Sequence, residues 1–200
     1  MVAIMKRSKF LISILSMFPI IILTKNVFGN LIIKEKRESM QINNGFKIKA
    51  GETRSGYHYK MKGVTFNTLD IKISSDDTNG ALAVFEQIGL TPNGGPPLHI
   101  HPFQDEWFYV IEGEYNFQVG EYKYKMMPGD TIFLPRNIQH AFVQLSEKGK
   151  MIVSYQPAGK MESFFKVTDT WISPPSNEEI KKVFEEHEMK IVGPPLKVNN

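Results

Sequence analysis

The chain of 200 residues contains no cysteine. That excludes disulfides, thiolate metal sites and a lipid anchor carried on cysteine. Histidine is scarce as well, with five in the chain, so their placement is informative. No apolar run reaches the ~20 residues that a membrane-spanning helix needs. The longest, Phe10–Leu23, has 14 residues and is interrupted by Pro19. Charge of one sign is missing too. The formal net charge is +3, but Lys6, Arg7, Lys9 and Lys25 supply +4 within residues 1–29, which contain no acid. The remainder holds 20 basic and 21 acidic side chains, a net of −1. A nucleic-acid footprint is therefore not expected.

What is present at the start is a positive segment, an apolar segment, and small residues (Val27 and Gly29) ahead of Asn30. This order reads as a signal peptide over residues 1–29, with an exported product, periplasmic or secreted. The competing reading is an uncleaved anchor, which the short, Pro-interrupted run disfavours. After cleavage no stable membrane anchor is expected. Residues 30–60 read as an N-terminal arm or linker leading into the first strands. "KEKRES" (Lys34–Ser39) reads as a solvated charge run.

From about Phe46 short apolar–polar alternations are split by Gly, Asn, Asp and Pro, as in "VTFNTLDIKI", "ALAVFEQIGL", "EWFYVIEG" and "IQHAFVQL". Turn signals at intervals of roughly 8–12 residues predict an all-β sandwich or barrel. Residues 61–166 are assigned to this β-barrel and residues 167–200 to a connector and one C-terminal α-helix. Ser176 and Glu179 fit a capping box at the helix start. Ile180, Val183, Phe184 and His187 follow at helical spacing, and Gly193-Pro194-Pro195 reads as the stop.

"PPLHIHPFQDEWFYVIEG" (residues 96–113) departs most from ordinary core composition. On a strand, residues two apart share a face, so His99 and His101 point together. A hairpin through "PFQD" would set Glu106 opposite them. A buried unpaired imidazole or carboxylate is costly, and a divalent cation would be the missing partner. A metal-free hydrogen-bonded cluster is the alternative. His140, in a second β-rich stretch, is the candidate fourth ligand. Phe108, Phe142 and Gln144 share strand parity with ligands and are candidates to line a pocket. Trp107 and Tyr109 face the other way and read as sheet packing or a homodimer interface. His58 reads as a surface or strand-edge residue, and His187 as a packing residue.

These residues resemble the two motifs of the cupin superfamily. Gly94 or Gly95, His99, His101, Glu106 and Gly113 match the first. Gly129, Pro135, Asn137, His140 and Gln144 match the second, with Asn137 in place of a glycine and Gln144 in place of an asparagine. The resemblance implies a double-stranded β-helix (jelly-roll) barrel. It also implies one divalent metal ion (Fe, Mn, Ni, Cu or Zn) held by His99, His101, Glu106 and His140. "GGPPLHIH", "DEWFYVIEGE" and "PGDTIFLPRNIQHAF" most resemble the single-domain quercetin-dioxygenase-like group. That likeness implies an oxidoreductase acting with dioxygen on a small aromatic or dicarbonyl substrate, with Glu106 as ligand and as catalytic base. A non-enzymatic metal-containing cupin that binds a small acid or sugar is the alternative.

Overall fold

The computed structural model describes residues 44–198. The segment read as a signal peptide and the charge run Lys34–Ser39 lie outside them. Among the described residues, eleven strands form two antiparallel sheets. They are β1 (Tyr59–Met61), β2 (Asn67–Ile73), β3 (Ala83–Gly89), β4 (Pro97–Ile100), β5 (Asp105–Glu112) and β6 (Tyr115–Val119). β7 (Tyr122–Met126), β8 (Thr131–Leu134), β9 (His140–Gln144), β10 (Gly149–Gln156) and β11 (Lys190–Pro195) complete the set. One sheet runs β1-β2-β3-β10-β5-β8 and the other β11-β4-β9-β6-β7. This is the cupin jelly-roll arrangement.

Alternation explains the layering. Along β5, Glu106, Phe108 and Val110 are buried while Trp107, Tyr109 and Ile111 are exposed. The inward residues of both sheets, among them Phe85, Phe117, Phe142, Met151 and Val153, make the core. Burial of such apolar area is the main stabilising term. Tight turns between strands use left-handed backbone. Asn137, which stands where the motif has glycine, has φ 65°, a conformation asparagine tolerates.

Two helices follow β10 among the described residues, one more than the sequence predicts: α1 (Met161–Thr170) and α2 (Asn177–Glu186). α1 escapes a cap-based search because Lys160 at its start makes no side-chain cap. Its buried Met161, Phe164, Phe165 and Thr168 do recur at helical spacing. Phe165 meets Phe85 edge-on at 4.9 Å, which fixes the helix on the larger sheet. "WISPPS" thus joins two helices rather than a strand and a helix. α2 has the predicted capping box between Ser176 and Glu179. It ends at Glu186 and not at the Gly-Pro-Pro, because those residues form β11 on the outer edge of β4. Prolines are tolerated there because an edge strand can leave one side unpaired.

Candidate metal centre

β4, its extension and β9 bring the three imidazoles together from one sheet. His99 stands directly across from His140 in the β4–β9 pairing, and His101 lies just past the end of β4. Glu106 comes from β5 in the opposite sheet, whose neighbours are β10 and β8. The expected β4–β5 hairpin ladder is therefore not the device that positions it. The carboxylate meets the histidines across the interior, because the two strands belong to different sheets and both turn this face inward.

All four side chains are buried, and their ligand atoms lie within 4.8 Å of one another. His99 Nε2 is 3.2 Å from His101 Nε2. Glu106 Oε2 is 3.0 Å from His140 Nε2 and 3.9 Å from His101 Nε2.

The protons on these rings follow from what lies behind them. His99 Nδ1 donates to the Pro97 carbonyl at 2.8 Å and His140 Nδ1 to the Ile138 carbonyl at 2.9 Å. Each of these carbonyls can only accept. His101 Nδ1 donates to Gln104 Oε1 at 3.1 Å, while Gln104 Nε2 donates to the Ala158 carbonyl at 3.1 Å. The amide orientation is thus set by Ala158. A neutral ring that holds its proton on Nδ1 presents a bare lone pair at Nε2. Three such lone pairs and a carboxylate oxygen converge. Although His140 Nε2 and Glu106 Oε2 are close, neither atom has a hydrogen-bond partner. They face a shared centre rather than each other.

A second proton on a ring is one way to relieve this convergence, and the surroundings oppose it. Burial, with the neighbouring rings of His140 and His101, pushes His99 well below its ordinary value. Burial also lowers His101, partly opposed by the Glu106 charge. For Glu106, burial acts upward, but the nearby His140 and His101 imidazoles and the Tyr155 hydroxyl outweigh it. Its carboxyl falls below the ordinary range and stays ionised. Tyr155 sits opposite Glu106 in the β10–β5 register, so its hydroxyl is placed to favour the ionised carboxylate. The donor set therefore fits a divalent cation, and the cluster could hold one. Ring N–H groups tied to carbonyls and an amide are the usual supports of metal-ligating histidines.

The cluster opens on a cavity of about 40 Å³, room for roughly three water molecules at ~10–15 Å³ each. Phe108, Phe142 and Leu134 line it near the cluster, with Phe164 and Phe184 from the two helices. Gln144 stands outside. It shares parity with His140 and Phe142, but strand parity fixes a face and not a depth. Four residues beyond His140, its amide donates to the Ser146 carbonyl at 2.8 Å and packs under Gly89 and Gly149.

The two remaining histidines do not join the cluster. His187 closes α2, donating from Nδ1 to the Val183 carbonyl at 2.7 Å and packing on Phe164. His58 is half exposed and pairs with buried Asp70 at 2.7 Å. Sequence reasoning missed Gln104 and Tyr155. The signal for Gln104 was a polar residue three positions past His101, near enough in the turn to reach back to that ring. For Tyr155 it was a hydroxyl at an inward position of an apolar strand.

Residues 87–155 match the Cupin_2 family model, described as a cupin domain. That stretch contains all four residues of the cluster. Among solved structures, an RmlC-like cupin from Shewanella frigidimarina is similar at 20% identity and TM-score 0.50. The match covers 62% of this chain and 99% of that one. KdgF from Halomonas sp. is similar at 18% identity and TM-score 0.48, over 57% of this chain and 94% of that one. A predicted oxalate decarboxylase from Thermotoga maritima is similar at 15% identity and TM-score 0.48, over 56% and 99%. No curated protein matches the sequence. Residues 87–155 are thus similar to a cupin domain, and the Shewanella structure shares the fold.

Proposed function

We propose that the protein is a metal-dependent oxidoreductase of the dioxygenase type, acting on a small molecule that carries a chelating pair of oxygens. The observation that carries this reading is the convergence of three imidazole lone pairs and one carboxylate beside a cavity. A purely structural site would be closed on all sides by protein ligands, whereas a catalytic one keeps a position open. When bound, a divalent metal would supply Lewis-acid binding of the substrate's oxygens and a place for dioxygen.

The chain's own residues set the terms. His99, His101 and His140 tie Nδ1 to oxygen acceptors and turn Nε2 to the centre, and Gln104 holds the His101 ring in that orientation. Glu106 adds one negative charge, which would offset part of the charge of a bound cation. Phe108, Phe142 and Leu134 keep water from the reacting end. The small cavity favours a compact β-dicarbonyl or its enol over a multi-ring flavonol. Because the Glu106 carboxyl lies below its ordinary range, it suits a ligand better than a base poised near neutral pH. A substrate whose enol is already acidic fits that environment.

The test is oxygen consumption by protein loaded in turn with Fe, Mn, Ni, Co and Cu, against β-diketones, catechols and flavonols. Turnover of compact β-diketones ahead of flavonols is expected. Saturable binding with no oxygen uptake under any metal would overturn the oxidoreductase reading in favour of a binding protein.

A further inference from the structure

The cavity has a second polar end. Register places it: on β10, Tyr155 lies opposite Glu106 and Met151 lies opposite Gln87 of β3. Those four residues correspond to about 13 Å at ~3.3 Å per residue. Gln87 and Asn67 project inward there from adjacent strands and line the same cavity as the histidines. They are 5% and 4% exposed, respectively. Among the described residues the Gln87 amide has no hydrogen-bond partner. Asn67 is half satisfied, since its Oδ1 accepts from Thr65 Oγ1 at 2.7 Å. That bond occupies the oxygen and leaves the Asn67 NH2 group as an unpaired donor. Buried amides are normally partnered, and two that are not, facing one cavity, indicate a partner that arrives from elsewhere.

The chemistry of that partner can be read from what surrounds it. Gln87 offers a donor and an acceptor, and Asn67 offers a donor. A hydroxyl group, which both accepts and donates, satisfies the two together. A carboxylate could only accept. It would also bring charge into a cavity lined by no Lys or Arg, at a large desolvation cost. An alkyl group would leave both amides unpaired.

We propose that Gln87 and Asn67 form a specificity site for a neutral hydroxyl at the end of the substrate remote from its chelating oxygens. The site would thereby select a hydroxylated chelator over alkyl or acidic relatives. This rests on the metal-dependent reading above.

The experiment uses titration calorimetry on the zinc-loaded full chain, so that binding is read apart from turnover. The probes are allomaltol, kojic acid and comenic acid, hydroxypyranones that share one chelating head and carry a methyl, hydroxymethyl or carboxylate group away from it. Kojic acid should bind at least about tenfold more tightly than either of the others, the value of one net hydrogen bond. Gln87→Leu, which keeps the volume, should reduce that preference to about threefold or less, and Asn67→Ala should act in the same direction. Zinc stoichiometry should be unchanged in both variants and reports that each is folded. Equal binding of the three probes by wild type, or a preference that survives both substitutions, overturns this inference and leaves the metal centre standing. Failure of wild type to take up zinc, or to bind any of the three, overturns both.

Discussion

His99 and His187 are almost equally buried, at 6% and 7% exposed, and both donate from Nδ1 to a backbone carbonyl. They differ in what their other nitrogen meets. His99 Nε2 faces His101 Nε2 at 3.2 Å, within a group of four ligand atoms. The His187 ring packs edge-on against Phe164. Burial and tautomer are thus shared by a structural histidine and a candidate ligand. Only the convergence of several lone pairs on one point separates them.

The substitution with the largest expected effect removes a converging atom. His140→Ala should abolish stoichiometric uptake of divalent metal by elemental analysis. It should also erase the rise in melting temperature that metal gives wild type, a stabilisation of ~2.7 kcal/mol at a metal concentration of about a hundred Kd. Metal uptake equal to wild type would show that the convergence is not a metal site. Glu106→Gln keeps an oxygen and the shape but removes the charge. If Glu106 acts as ligand alone, metal affinity should fall while the pH profile of any residual turnover keeps its shape. If it is also the base, turnover should fall by roughly 10²–10⁴ at saturating metal.

A smaller effect is expected one step back from the ligands. Gln104→Leu leaves all four donors but releases the His101 ring and removes one of the two donors to the Ala158 carbonyl. Metal affinity, read by chelator competition, should weaken about 10–100-fold, the usual size for loss of such a support. Smallest of all should be the change at the other kind of histidine. His187→Phe loses one hydrogen bond in a packed setting and should cost about 1 kcal/mol in denaturant unfolding. It should leave metal stoichiometry as in wild type. A loss of metal in this variant would mean that α2, whose Phe184 touches His99 at 5.6 Å, controls the centre.

Much of this comparison was legible in the sequence. Strand parity put His99 and His101 on one face, and motif spacing picked out His140 and Glu106. The capping box located α2, and the helical spacing of His187 marked it as a packing residue. Depth and partner choice were not legible. Parity could not say that Gln144 sits four residues deeper than His140, against Gly89 and Gly149. Nor could local spacing reveal that β5 pairs with β10 and β8, so that Glu106 reaches the histidines from across the interior. Gln104 and Tyr155 are defined by long-range partners, Ala158 and Glu106, which no window of sequence contains. The α1 helix was missed because its start lacks a cap, although its apolar spacing was present.

The strand that follows α2 has a consequence for how the protein ages. β4 carries His99 but meets β9 at only one registered pair, His99 with His140. Its other side is completed by β11, where Ile191 pairs with His99 and Lys190 with Ile100. A chain nicked between Glu188 and Lys190 would keep every ligand and most of its core. Its β4 would nonetheless become a frayed border strand, with main-chain groups open to solvent. Metal retention would then register whether the tail is intact, and a single cleavage would retire the centre without dismantling the fold.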